Sequence, residues 1–407
     1  MPDVTNTEKL WAAALRVLAC ATVGLAPLEG YLASVHPQLG KVPAGLLVLG
    51  WVAVRVRHRR LPAFHPVHPL LGGLAALLLA SAAVHAGGPF TAEYTVRWLP
   101  FLALTVVLAD LAAREVGVRP LLVASVAGSV VAGAGALYSV QAGAARATGP
   151  MSDPNDLAFV LVVAVPLLVA VTPSRPPTRH KVLVAVAAAL LLAGAAATFS
   201  RGGAIALACA VGWLLARRAL SPRVLAAAVG AAVVAAAGTV LVAGSRLARS
   251  LREKSFIAET NVDTRELRWR AAARMLGENP VLGVGPGGFR SEYVAASHNA
   301  ELAEQTPVAH NMFLEVAAEL GLPALLLFLG LVAVALFATE DAVRRGRDRN
   351  TVVAVQASLV AVLVGATFLS EQYYLPLWLL VAVAVGLGSR ERVEKEGAVR
   401  AGAPHDQ

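Results

Sequence analysis

The sequence predicts an all-α integral membrane protein of about twelve transmembrane helices, and three observations carry the prediction. Of 407 residues, 57% are hydrophobic and only 15% are charged, and the mean hydropathy is +0.65, far more apolar than a soluble domain. Apolar runs of roughly 17 to 25 residues recur from end to end, each long enough to cross about 30 Å of hydrocarbon as a helix. These runs are continuous in Ala, Val, Leu and Gly, without the alternation of a membrane barrel.

The spans are expected at about 10–27, 40–56, 69–86, 94–112, 120–140, 156–172, 181–198, 203–217, 223–243, 311–337, 351–369 and 373–388. Basic residues then collect after every second span: Arg55, Arg57, Arg59 and Arg60; Arg114 and Arg119; Arg175, Arg179 and Lys181; Arg217, Arg218 and Arg223; Arg344, Arg345, Arg347 and Arg349. Five loops agreeing on one face place that face and both termini in the cytoplasm. The formal net charge of +9 therefore reports topology and not nucleic-acid binding. The polar N-terminus enters the first span without a small-residue cleavage pattern, so the first helix is expected to be retained. Cys20 and Cys209 lie inside apolar runs and support neither a disulfide nor a metal site. Heavy use of Ala, Val, Gly and Arg fits a GC-rich bacterial genome.

Four parts follow: about nine spans in 1–243, an extracytoplasmic segment with short helices in 244–310, about three spans in 311–388, and a cytoplasmic tail in 389–407, expected to be disordered. Within the long segment, Asp263 to Leu276 reads as a helix that Asp263 and Thr264 can cap. Leu267, Ala271 and Met275 recur every four residues, which suits a helix at the membrane interface. The string NPVLGVGPGGF that follows is a turn whose backbone, at Gly283, Gly285, Gly287 and Gly288, is free to approach something closely. Without a following GKS or GKT it is not a P-loop.

Candidate functional residues gather on the external side. Arg201, in ATFSRGG, is either an interfacial arginine reaching lipid headgroups or the partner of an anion, on the face where positive charge is sparse. Arg265, Arg268, Arg270 and Arg274 form a stripe that would suit headgroups. Arg265 differs because the helix N-terminus adds to its attraction for an anion. His310 heads HNMFLEVAAELG, with Asn311 adjacent and Glu315 about a turn and a half below; a neutral imidazole there is a candidate base. Arg146, Asp153, Asn155 and Asp156 crowd one helix entry, where Asp153 or Asn155 can also serve as a cap. Glu93 and Arg97 can pair at four-residue spacing, and Glu371, Tyr373 and Tyr374 can form an interfacial belt.

Four strings, RATGPMSDPNDLA, TFSRGGAIAL, NPVLGVGPGGF and HNMFLEVAAELGLPA, occur in an order that resembles the O-antigen ligase and polymerase superfamily, most clearly over about residues 140 to 335. That resemblance implies a polytopic glycosyltransferase of the GT-C type in a bacterial cytoplasmic membrane, with an extracytoplasmic site. It would transfer a glycan from a polyprenyl-diphosphate carrier to a glycan, lipid-glycan or protein acceptor, with no metal or cofactor. The resemblance implies that Arg201 and Arg265 hold the diphosphate, that Arg146 and Asn155 assist in binding, and that His310 is the base, oriented by Asn311 and Glu315. On this view Arg265 and His310 need Arg201 from a separate turn. Ligase and polymerase remain alternatives, and a transporter of a small anion or lipid-linked glycan is the reading from another class.

Overall fold

The computed structural model describes residues 4–59, 61–62, 64–223, 226, 264–302, 304 and 306–402. These residues form helices and connecting turns. In chain order the helices are α1 (Val4–Leu25), α2 (Glu29–Val35), α3 (Val42–His58), α4 (Val67–Val84), α5 (Thr91–Ala113), α6 (Val118–Gln141), α7 (Pro154–Val171), α8 (Thr178–Ala197) and α9 (Arg201–Ala216). They continue as α10 (264–278), α11 (Gly288–Ala296), α12 (Met312–Arg344), α13 (Arg349–Ala366) and α14 (Leu375–Gly402). Among the described residues, nine candidate spans are long and apolar enough to cross a membrane, and the helices at Arg201–Ala216 and Leu375–Ser389 are shorter but apolar. The protein is thus an all-α polytopic membrane protein, and these helices overlap eleven of the twelve expected spans. Apart from residues 223 and 226, the remaining span near 223–243 lies outside the described residues, as does Asp263.

Small residues set the helix spacing, as they do where lipid removes the hydrophobic drive for helices to associate. The backbone of Gly24 in α1 lies against Gly128 in α6, and Gly386 in α14 against Ala112 in α5; a side chain at either Gly128 or Gly386 would overlap its neighbour. Between α5, α12 and α14 the core is aromatic. Trp98 meets Trp378 edge-on at 5.9 Å, Phe328 at 6.3 Å and Tyr373 at 5.7 Å between ring centroids.

The longest helix, α12, is broken where the sequence requires it. Pro323 has no N–H, so the carbonyl of Glu319 loses its partner one turn earlier, and Gly321 adopts φ 82°, ψ 174°. The glycine-rich turn fills the break. Val284 N–H donates to the Ala318 carbonyl at 2.9 Å, Gly285 N–H to that of Glu319 at 3.0 Å, and Leu322 N–H to that of Pro280 at 2.8 Å. The backbone groups opened by the kink are therefore satisfied in the protein's interior. A side chain at Gly283 would strike Glu319, and one at Gly321 would strike Val281.

At the arginine-rich end of the bundle, not every basic residue is a free topological charge. Arg55 is buried; it donates to Glu115 at 2.7 and 2.8 Å and to Asp110 at 2.7 Å, while Trp51 donates to Asp110 at 2.8 Å and Arg114 pairs with it at 3.0 Å. This network ties α3 to α5. The opposite end carries the turns before α5, α7, α9 and α14 together with α10 and α11, and there the candidate residues meet.

Candidate functional site

His310 ends the loop that enters α12 and holds a left-handed backbone, φ 50°, a conformation costly for a residue with a side chain. Its two neighbours are tied in place. Asn311 is the N-cap of α12 and accepts the N–H groups of Phe313 and Leu314, each at 3.1 Å. Glu315, buried one turn in, accepts the Ala309 N–H at 2.9 Å, Gln372 Nε2 at 2.7 Å and the Ser370 hydroxyl. Asn311 and Glu315 therefore act on the backbone around the imidazole.

The charges around His310 come from three elements. Burial, then Arg268 and Arg265 of α10, push its pKa down to about 4, while Asp153 at the start of α7 and Glu304 oppose them. The ring is thus neutral at ordinary pH. Arg265 lies in the first turn of α10; burial lowers its pKa, and Asp153 works against that shift. Asp153 thus lies within electrostatic reach of both His310 and Arg265, although it also caps α7 by accepting the Asn155 N–H at 2.6 Å.

Arg146 joins two of the sequence strings. Its Nε donates to the Thr198 carbonyl at 2.9 Å and its Nη2 to Asn155 Oδ1 at 3.1 Å, so the loop before α7 is fixed to the turn before α9. Arg201 itself is exposed at the start of α9, and its side chain makes no hydrogen bond or ion pair among the described residues. Arg265, His310 and Asp153 lie within electrostatic reach of one another, Arg146 and Asn155 are bonded to each other beside the Asp153 cap, and among the described residues no hydrogen bond or ion pair joins the Arg201 side chain to either group.

The other arginines of α10 have structural partners. Arg268 is buried; it pairs with Glu301 at 3.2 Å and Glu304 at 2.9 Å and lies 5.9 Å from the Tyr293 ring centroid. Arg270 forms an exposed pair with Glu266 at 2.5 Å, and Arg274 donates to the Ala296 carbonyl. The apolar face of α10 packs on protein: Ala271 and Met275 are buried against Phe289, Tyr293, Ala309 and Ala318. Arg97 pairs with Glu93 at 2.6 Å, as their spacing predicts.

The turn between α13 and α14 has a larger part than an aromatic belt. Within Ser370–Tyr374, Ser370 and Gln372 hold Glu315, Tyr374 donates its hydroxyl to Asp156 at 2.8 Å, and Tyr373 reaches Glu319 at 3.5 Å. Glu371 is almost wholly buried, 1% exposed. Burial and the neighbouring Asp156 raise its pKa well above the usual carboxyl range. In the sequence Glu371 is legible only as a polar residue on the last external turn, grouped with Tyr373 and Tyr374 at the interface.

Below this cluster lies an apolar cavity of about 740 Å³ between α1, α3, α5, α6, α7 and α14. Tyr373, Tyr374 and Met151 line it, as do the charged residues Glu29, Lys41 and Arg97. Its lining includes Leu49, Val96 and Leu99, three exposed apolar side chains. Among the described residues, no three His, Cys, Asp or Glu side chains gather as a metal site requires.

Residues 186–329 match the Wzy_C family model, described as O-antigen ligase. The matched stretch holds Arg201, Arg265, His310, Asn311 and Glu315, whereas Arg146, Asn155 and the Ser370–Tyr374 turn lie outside it. No curated protein matches the chain significantly.

Proposed function

On the premise that residues 186–329 form an O-antigen ligase domain in a polytopic membrane protein, we propose that the chain transfers a glycan from a polyprenyl-diphosphate carrier to an acceptor hydroxyl. The reaction takes place at the outer face of a bacterial cytoplasmic membrane. The observation that carries this reading is His310, held in a left-handed backbone within electrostatic reach of Arg265 inside the matched stretch, at the end of the bundle where the apolar cavity lies.

The chemistry follows from the donor. Its anomeric carbon is bonded to a diphosphate, a good leaving group that needs charge stabilisation more than a proton. His310 takes the acceptor O–H proton as the acceptor oxygen forms its bond to the anomeric carbon. The bond from that carbon to the diphosphate oxygen breaks, and the diphosphate departs with the electron pair. Attack opposite the leaving group inverts the anomeric centre. Arg265 and the uncommitted Arg201 supply forked donors for the phosphates, with Arg146 and Asn155 beside them. Apolar walls suit the isoprenoid tail, and Lys41 and Arg97 suit anions at its head.

This orientation puts the arginine-rich end in the cytoplasm with both termini. A ligase and a polymerase share this donor chemistry and differ in acceptor, and the ligase is the reading favoured by the matched family. The interruption at Gly321, which in a transporter would open a binding site, is filled here by backbone from residues 280–285. The test is deletion and complementation. Loss of the protein should leave a carrier-linked glycan to accumulate; the wild-type gene should clear it and an inserted His310→Ala variant should not. Clearance by His310→Ala would remove the base from the mechanism.

A further inference from the structure

The Ser370–Tyr374 turn touches two regions that the proposed reaction uses separately. On one side it is a wall of the apolar cavity: Tyr373, Tyr374 and the first residues of α14 line it. On the other side, Ser370 and Gln372 hold the Glu315 carboxylate, and that carboxylate holds the Ala309 N–H next to His310. Tyr374 fastens the same turn to Asp156 in α7 at 2.8 Å, one turn from the Asp153 cap whose charge reaches His310. Trp378 in α14 donates to the Gln372 carbonyl at 2.9 Å. Five consecutive residues thus join the wall of the cavity to the backbone that carries the base. That backbone needs support, because His310 adopts a left-handed conformation that residues other than glycine hold only when their surroundings impose it.

We infer that the Ser370–Tyr374 turn transmits occupancy of the apolar cavity to His310, so that the lipid portion of the donor governs the competence of the site as well as binding. A tail in the cavity packs on Tyr373 and Tyr374 and restricts the turn. The restricted turn holds Ser370 and Gln372 on Glu315, and Glu315 then holds Ala309 and His310. A carrier too short to reach this wall would bind through its diphosphate and leave His310 less firmly placed. Ser370, Gln372 and Tyr374 are positioning residues in this scheme. The inference rests on the proposed lipid-linked donor.

Amide hydrogen exchange on the full-length protein in nanodiscs tests it, with two probes that share a diphosphate headgroup: a long-chain polyprenyl diphosphate and farnesyl diphosphate. At saturation, the long-chain lipid should slow exchange in 309–315 about tenfold beyond farnesyl diphosphate. Tyr374→Phe, which keeps the aromatic wall and removes the bond to Asp156, should lose that difference while the long lipid still protects 375–380. Equal protection of 309–315 by both probes in the wild type would overturn the inference and leave the donor reading standing. So would an undiminished difference in Tyr374→Phe. If neither lipid binds saturably, the donor reading fails, and this inference fails with it.

Discussion

The carboxylate of Glu315 accepts the backbone N–H of Ala309 at 2.9 Å, which sets the residue before His310 by a side chain one helical turn further on. Gln372 and Ser370 complete its shell. Glu315→Ala would leave three donors short of an acceptor in a buried place. The expected cost is about 3 kcal/mol of stability, with transfer reduced at least about 100-fold. Glu315→Gln should be milder, because its amide oxygen can keep the Ala309 bond while Gln372 turns its own carbonyl inward. Thermal unfolding in detergent and transfer by purified variants check both.

The pH dependence of transfer has a defined sign. Burial and two arginines hold the His310 pKa down to about 4, against an ordinary value of about 6.5. The base stays unprotonated well below neutrality, so kcat/KM should be flat on the acid side to roughly pH 5 and fall about tenfold per unit below the pKa. An acid limb near pH 6.5 would show that the free enzyme's base is another group or that the arginines do not act on it.

Arg201 and Arg268 should separate catalysis from structure. Arg201→Ala removes an exposed guanidinium without a partner among the described residues, so the variant should insert with wild-type stability while transfer falls about 100-fold or more. Arg201→Lys should recover little, since an ammonium cannot fork across two phosphate oxygens. Arg268→Met removes a guanidinium held by Glu301 and Glu304 and should lower stability by about 2 kcal/mol, discounted for the partly exposed carboxylates. Steady-state kinetics beside thermal unfolding distinguishes the two patterns.

Gly321→Ala tests the break in α12. The residue has φ 82°, and an added Cβ would overlap the Val281 backbone, so the change should cost about 3 kcal/mol or displace the glycine-rich turn. Increased proteolysis near residues 280–288, with the membrane spans still protected, is the expected signature.

Topology can be read with single cysteines after Cys20 and Cys209 are replaced. A membrane-impermeant thiol reagent should label Glu278→Cys, an exposed position on α10, in intact cells. It should leave Ser174→Cys untouched until the cells are opened. The reverse pattern would invert the proposed orientation.

Much of the fold was legible in the sequence because a lipid solvent constrains a chain severely: continuous apolar runs and repeated Arg loops leave few arrangements. His310 and Arg265 were legible because each sits at a helix entry inside a recognisable string. The partners of Arg268 were not, since Glu301 and Glu304 follow it by 33 and 36 residues and a basic helical stripe looks the same whether it faces lipid or acid. The same holds for the turn at Ser370–Tyr374. Tyr374 acquires its meaning from Asp156, 218 positions away, and no periodicity connects them. The apolar spacing of α10 suits a helix at the membrane interface equally well, and only the structure shows that Ala271 and Met275 pack on the protein's own α11 and α12.

Glu315 also bears on the order in which the molecule is made. The stretch that matches the ligase family ends at residue 329, yet Gln372, which clamps Glu315, follows it by 57 residues. When His310 leaves the ribosome, the glycine-rich turn is already available to close the break at Gly321, but the clamp is not. The residues that hold Glu315 in the finished fold, Ser370 and Gln372, are therefore made after His310, Arg201 and Arg265, and the clamp closes only when the last hairpin of the bundle is in place.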